Sequence, residues 1–378
     1  MNNHKDRAHA LLSASSAHRW LECPPSAVAA ELYEDTSSEY ADEGTRAHEV
    51  AEAVASGRIK AVNVETNADT GVDAEMVECA EAYLAYINEQ KKSEDAFVIL
   101  EQRVDFSEYV PDGFGTCDCL IIQDGVLTVI DYKYGQGVAV SATGNPQMRL
   151  YALGALNDYG YVMDVDTVEM HIFQPRINNI SVDTISVDEL TTWGESVKPV
   201  AAQAYNGEGD YKAGSHCKFC PHAGRCKALH YSCVEFIETH NARVAVPVLT
   251  PEEVADVLDY VPILNLWINR VKDYAMANLL DGKEIPRYKL VAGRQGNRKW
   301  SDDVAVAEAL TTAGYQIEEI TETKLLSPSG MDKAIGKKKV SELLDNLIER
   351  APGPPTIAHA EDKRPAYNRV AEAVKDFE

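Results

Sequence analysis

The feature that most limits how this chain can fold is a pair of apolar runs separated by Asp124-Gly125. GTCDCLIIQDG (115–125) and VLTVIDYKYG (126–135) are rich in β-branched and apolar residues, and an Asp-Gly step between such runs marks a tight hairpin. Successive side chains of a strand alternate faces, so Asp131 and Lys133 point the same way, and the hairpin can bring Asp118 near Asp131. The second run stays apolar until it ends in Asp131-Tyr132-Lys133, and charges placed on a buried strand need a partner or a role. Converging carboxylates suit a hard cation such as Mg²⁺, which takes oxygen ligands. A cation there polarises a phosphoryl oxygen and activates water, and a lysine beside it stabilises the developing charge. Glu101, on the preceding apolar run, can supply a third carboxylate. As a bare pattern, D-x12-D-x-K more often marks a surface hairpin whose acidic residues face water.

The surrounding chain reads as an α/β layer. Helices are expected over 13–22, ended by Pro24 and Pro25, over 41–56, and over a segment where Met76, Ala80, Tyr83, Leu84 and Ile87 form an apolar stripe that packs on a sheet. FVILEQRVDF (97–106) reads as a strand, 145–160 as a helix ending at Gly160, and VEMHIFQP (168–175) as a strand closed by Pro175. The order is helix, three strands, helix, strand, which implies a mixed central sheet flanked by helices. Residues 244–250 read as a linker. A long helix follows over 251–281, with Val257, Val261, Leu264, Ile268, Val271 and Ala275 on one face and Pro262 as a point where it kinks or splits. A helix capped by Ser301 and another over 340–349 complete a mainly helical C-terminal region, so two domains are expected, 1–240 and 250–378.

With 36 Lys and Arg against 60 Asp and Glu, the formal net charge is −24, which argues against a generic nucleic-acid coat. It leaves open an enzyme that binds DNA through a local basic groove and whose carboxylates are offset by bound Mg²⁺. MNNHKDRAHALL at the start lacks an apolar core long enough for a signal peptide, and no run approaches the ~18 apolar residues of a membrane span. A soluble, cytoplasmic protein without a membrane partner is expected.

Of eight cysteines, Cys217-x2-Cys220-x5-Cys226 is a compact ligand pattern, and in a cytosolic chain it points to a metal more than to disulfides. Three thiolates leave a fourth position, for which Cys23, just before two prolines, is the best distant candidate; with zinc, His216 or His222 also fits. Thiolate ligation suits zinc and iron–sulfur clusters alike. Cys117 and Cys119 flank Asp118 and are expected on the opposite face, in packing roles; Cys79 and Cys233 are left over.

Two more features stand in order around the hairpin. Gly44-Thr45-Arg46-Ala47-His48 puts an imidazole on an N-terminal helix, and Gln147 and Tyr151 share a helix face at i, i+4. G-T-x-x-H, G-T-x-D, D-Y-K and Q-x3-Y, in this order, resemble the RecB-like branch of the PD-(D/E)xK nuclease superfamily, which includes recombination helicase–nucleases and CRISPR adaptation nucleases. The resemblance covers residues 11 to 235 by motif. The whole chain, with LLSASSAHRWLECPPS near its start and RYKLVAGRQGNRKW later, resembles a phage-encoded family. The resemblance implies a restriction-endonuclease-like core and a Mg²⁺- or Mn²⁺-dependent deoxyribonuclease, an exonuclease acting in phage recombination or end processing in the host cytoplasm. It implies that His48, Asp118, Asp131 and the Tyr132 carbonyl bind metal, that Lys133 is catalytic, and that Gln147 and Tyr151 position DNA or the lysine. Many members carry Glu where this chain has Asp131; Asp is common in this branch. One cysteine before the core and three after it resemble the iron–sulfur staple of the same enzymes, which assigns Cys23, Cys217, Cys220 and Cys226 to a structural [4Fe–4S] cluster, with Zn²⁺ as the alternative.

Arg287, Lys289, Arg294, Arg298 and Lys299 cluster in a short basic hairpin, readable as a phosphate-contacting element or as a solvated loop; Trp300 can stack on a base or simply pack. Lys218, Arg225 and Lys227 could line the same DNA path. No G-x4-G-K-[ST] is present, so no ATP motor is expected. Partners expected are DNA and a phage annealing or recombinase protein. The competing reading is a catalytically silent iron–sulfur or zinc protein that binds DNA or acts as a scaffold.

Overall fold

A computed structural model describes residues 10–33, 39–64, 66, 71–160, 164–239, 250–291, 327–328, 330–331, 336–344 and 347–348. The chain divides into two compact units, Met1–Thr323 and Lys324–Glu378. In the second unit the described element is a helix, α9 (Lys337–Leu344).

The first unit is built on a five-stranded sheet in sequence order, β1 (Phe97–Asp105), β2 (Phe114–Gln123), β3 (Val126–Tyr132), β4 (Thr167–Gln174) and β5 (Asn179–Ser186). All neighbours are antiparallel except β3 and β4, so the sheet is mixed. The β2–β3 connection is the expected two-residue turn. Asp124 and Gly125 both have positive φ, 49° and 76°, the backbone a type I′ turn requires. A parallel β3–β4 pair needs a crossover, supplied by α5 (Pro146–Ala155). Asn145 caps α5 by accepting from the Gln147 and Met148 N–H groups.

Helices cover both faces. On one lie α3 (Glu39–Ala55) and α4 (Ala74–Gln90), whose Ala47, Ala51, Met76, Ala80 and Tyr83 join Ile121, Ile130 and Tyr132 in one apolar cluster. On the other, α5 and α6 (Val187–Asn206) pack on Leu120, Leu127, Val129 and Met170, with Trp20 of α1 (Ala17–Trp20) and Ala27 of α2 (Ser26–Ala30) added from the N-terminal segment. The sheet is thus buried on both sides, which is why β3 reads as an unbroken apolar run and not as an alternation. As the sequence suggested, α1 stops before the Pro24-Pro25 pair, and α2 begins just beyond it.

Strand β5 and the 20-residue α6 are elements that the sequence pattern did not deliver. On β5, exposed Ile180 and Val182 alternate with partly buried positions, as on an edge strand with one wet face, so the apolar signal is weak. The long helix α8 (Pro251–Leu280) begins at a Thr250–Glu253 capping box and runs through Pro262 without splitting. Its packed face differs from the expected stripe. Ile263, Leu264, Leu266 and Trp267 rest on the cysteine segment, while Val261, Ile268 and Val271 are exposed. Of the expected linker, only Thr250 is among the described residues, as is α9 for the last expected helix; residue 301 lies outside them.

Candidate functional site

Strand geometry and one helix make the site. Glu101 on β1 falls opposite Asp118 on β2, since Leu100 pairs Cys119 and Gln102 pairs Cys117. Glu101 sits at φ 49°, a left-handed backbone that costs a non-glycine residue energy and clusters at working sites. The regular alternation breaks here. Cys117 enters the core on the α5 side and Cys119 the core under α3 and α4, so the two cysteines do not share a face as expected.

From α3, His48 reaches over the same spot, its Nδ1 3.4 Å from Asp118 Oδ1. One ligand atom from each of His48, Glu101 and Asp118 lies within 4.8 Å of the others, a spacing that a single metal ion can bridge. The second Asp118 oxygen accepts the Tyr132 backbone N–H at 2.6 Å, so the peptide of Asp131-Tyr132 orients the ligand. The backbone group of Tyr132 found against Asp118 is this N–H, where the resemblance had pointed to the carbonyl as a ligand. Asp131 is 3% exposed and stands outside the trio; Lys133 Nζ lies 2.8 Å from one of its oxygens and 3.1 Å from the other. Gln147 Nε2 donates to Asp131 at 3.2 Å and to the Tyr151 hydroxyl at 3.3 Å, and its Oε1 accepts from Lys133 at 3.5 Å. The i, i+4 pair of α5 therefore closes over the Asp–Lys pair. Gly115 lets it do so, because a Cβ there would lie 2.6 Å from the Tyr151 ring.

The electrostatics are those of crowded acids beside one base. Burial, then the Asp118 charge, pushes the Glu101 carboxyl up to about 7. Burial also raises Asp131, although Lys133 and His48 pull it down. Burial alone would lower His48, but its bond to Asp118 and the charges of Asp118 and Asp131 outweigh that and raise it. Lys133 is likewise raised, since Asp131 outweighs its burial, and stays a cation.

A pH effect follows. The folded carboxyl of Glu101 titrates above its ordinary 4.5, so the fold favours the protonated form. Its contribution to stability is present below pH 4.5 and is lost as pH rises through about 7. Raised His48 and Asp131 act with the same sign. The melting temperature of metal-free protein is expected to fall between about pH 5 and pH 8, Glu101→Gln to flatten that slope, and saturating Mn²⁺ to remove it. Fluorimetric melting curves of both proteins across that range measure it; parallel slopes for wild type and variant count against this account.

The cysteine segment 217–226 folds as two short 3-10 turns (Ser215–Phe219 and Pro221–Arg225) leading into α7 (Lys227–Thr239). Cys217, Cys220, Cys226 and Cys233 share one buried cluster with Ala223 and Leu229. Cys23 arrives from the N-terminal segment, and its Sγ accepts the Lys212 N–H at 3.4 Å across 189 residues of sequence. Burial, then the thiols of Cys23, Cys226 and Cys220, raises the Tyr211 hydroxyl. Cys233 lies in the same buried cluster as Cys217, which its sequence spacing did not suggest. Cys79 lies apart, on α4. Of the basic segment, Arg287 and Lys289 are exposed near a tight turn at Ile285–Tyr288, while Arg294, Arg298, Lys299 and Trp300 lie outside the described residues.

Sequence reasoning missed Gln174 and Arg176. Buried Gln174 accepts the Val140 N–H at 2.8 Å and donates to the carbonyls of Gly135 and Val138, holding the loop that follows Lys133. The signal was a Gln-Pro-Arg run closing β4, legible as a strand end but not as a support for a neighbouring strand.

Fold and site together define an α/β protein in which His48, Glu101 and Asp118 are spaced so that they could hold a metal ion beside a buried Asp–Lys pair. A family model described as "Protein of unknown function (DUF2800)" matches residues 9–365, and the chain belongs to that family. Among solved structures the chain is similar to "Crystal structure of SSO0001", at 12% identity over 56% of this chain and 96% of that one, with a TM-score of 0.23, too low for a fold comparison. No helix among the described residues is long and apolar enough to cross a membrane.

Proposed function

We propose that this chain is a Mg²⁺- or Mn²⁺-dependent DNA exonuclease of the RecB-like branch of the PD-(D/E)xK superfamily, with a restriction-endonuclease-like core over 1–240 and a mainly helical region over 250–378. The observation that carries it is the convergence of His48, Glu101 and Asp118 to within 4.8 Å, next to Lys133 held by Asp131. Two carboxylates and one imidazole fit a divalent cation of intermediate hardness, and a bound cation would offset both the burial and the Asp118 charge that raise Glu101. Bound there, the cation supplies Lewis-acid polarisation of a phosphodiester and a more acidic water.

The chain's own groups supply the rest. Asp118 is oriented by the Tyr132 N–H, and His48 is oriented by Asp118. Lys133, kept protonated by Asp131, provides a fixed positive charge for the oxygens of the attacked phosphate. Gln147 fixes the lysine's direction, and Tyr151 fixes Gln147. Cys23, Cys217, Cys220 and Cys226 would hold a structural [4Fe–4S] cluster, with Zn²⁺ as the alternative. Their burial and the arrival of Cys23 beside Lys212 fit a staple between the N-terminal segment and the far end of the core. The expected setting is phage recombination or DNA end processing in a host cytoplasm, alongside an annealing or recombinase protein.

The test is incubation of purified protein with end-labelled linear DNA and with closed circles, in Mn²⁺, Mg²⁺ or EDTA. Nucleotide release from linear DNA only, and only with metal, is the expected result. Tight DNA binding without cleavage in Mn²⁺ would replace this reading with the silent DNA-binding one.

A further inference from the structure

Arg176 lies just past β4, in a short turn (Pro175–Ile177), and its side chain is only 5% exposed. It bonds to Glu43 of α3 at 3.3 Å and to Glu75 in the first turn of α4 at 2.9 Å. Its guanidinium carbon stands 4.3 Å from the centroid of the Tyr134 ring, next after Lys133. The Gln136 amide, with its oxygen turned inward, meets the same guanidinium. One planar cation thus joins two helices, the end of β3 and the loop beyond it, a task that its fork and flat face suit.

What this junction adjusts is the site. Glu43 is five residues before His48 on α3, about 7.5 Å along the helix axis. α3 packs on the sheet through Ala47, Ala51 and, near its C-terminal end, Val54, so the buried side chain nearest Glu43 is a small one. The polar tie at Glu43 therefore sets where α3 stops along the sheet, and with it the separation of His48 from Asp118 and Glu101. Resting on the metal-site reading above, we propose that Arg176 is a positioning residue for the cation site, holding α3 so that His48 completes the ligand set.

A structural prop and an electrostatic effect give different outcomes. Removing Arg176 deletes a positive charge near a cation site and leaves Glu43 and Glu75 uncompensated, so electrostatics alone would tighten cation binding. A loss of position weakens it. The experiment is Mn²⁺ titration, by calorimetry and by electron paramagnetic resonance, of the full-length protein, Arg176→Gln, Arg176→Lys, Glu43→Ala, His48→Ala and the double variants Arg176→Gln/His48→Ala and Glu43→Ala/His48→Ala, each checked for folding by circular dichroism. Arg176→Gln is expected to raise the Mn²⁺ Kd about tenfold, with Arg176→Lys in between. In the His48→Ala background the same change should move Kd by less than about twofold, because the residue acts through His48. Glu43→Ala cuts the α3 tie; because losing a carboxylate by itself also weakens cation binding, its effect is read against the same change in the His48→Ala background, where a positional effect should vanish and a charge effect should persist, which keeps the test open if Arg176→Gln fails to fold. An unchanged or lower Kd in Arg176→Gln, or an equal loss with and without His48, overturns the proposal while leaving the metal site standing. Absence of Mn²⁺ binding in the wild type removes both.

Discussion

Replacing Lys133 with alanine is expected to lower metal-dependent cleavage by at least about a hundredfold, the scale on which loss of one fixed charge stabiliser is felt. The geometry makes this the most exacting substitution at the site. Lys133 touches both Asp131 oxygens and the Gln147 amide, so its ammonium has one defined position, and burial leaves it few alternatives. The variant also leaves Asp131, 3% exposed, without its counter-charge. That carboxyl, already raised by burial, is then expected to bind a proton at neutral pH, and a partner stranded in a buried pair costs on the order of 3 kcal/mol of stability. Lys133→Gln, which can still bond Asp131, separates the two effects. Both variants should lose cleavage, and the glutamine should keep more of the melting temperature. The measurement is single-turnover cleavage of linear DNA in Mn²⁺ with melting curves on the same samples. Cleavage at the wild-type rate in folded Lys133→Ala would end the nuclease assignment.

The second large effect concerns the cysteines. Protein purified under exclusion of air is expected to be brown, with a broad band around 400 nm, and Cys23→Ser is expected to lose that band. The same substitution should lower the melting temperature by roughly 10 °C, since the cluster's binding energy is folding energy and Cys23 is its link to the N-terminal segment. Cys79→Ser, on α4 and away from the cluster, should keep the colour. Because Cys233 shares the buried cluster with Cys217, Cys220 and Cys226, the pair Cys226→Ser and Cys233→Ser tells ligand from neighbour: the band should vanish in the first and survive in the second. Colourless protein with stoichiometric zinc would replace the cluster with the zinc alternative and leave the nuclease site untouched. A pale protein free of both metals would leave the four thiols as packing.

Four readings from local spacing hold in the structure. The Asp124-Gly125 turn, the common face of Asp131 and Lys133, the pairing of Gln147 with Tyr151 and the helix stop at Pro24 each depend on contacts a few residues apart, and such contacts obey local backbone geometry. What failed were judgements of faces and of weak elements. The packed side of α8 keeps Leu264 from its expected stripe but otherwise turns off it, because the cysteine segment takes Ile263, Leu266 and Trp267. Edge strand β5 went unseen because one of its faces is wet.

The sequence by itself determined the chemistry available here: carboxylates and a lysine at a strand end, a histidine on an early helix and clustered thiols. Only the tertiary structure decided which of these meet. It set Glu101, not Asp131, with His48 and Asp118; it carried Cys23 to Lys212; and it made Arg176 the tie between α3, α4 and the loop after β3. Those meetings join residues from about 15 to 189 positions apart, where no backbone periodicity reaches. They depend on which helix packs on which face of the sheet, a choice made by the burial of whole apolar surfaces and not by the site residues themselves.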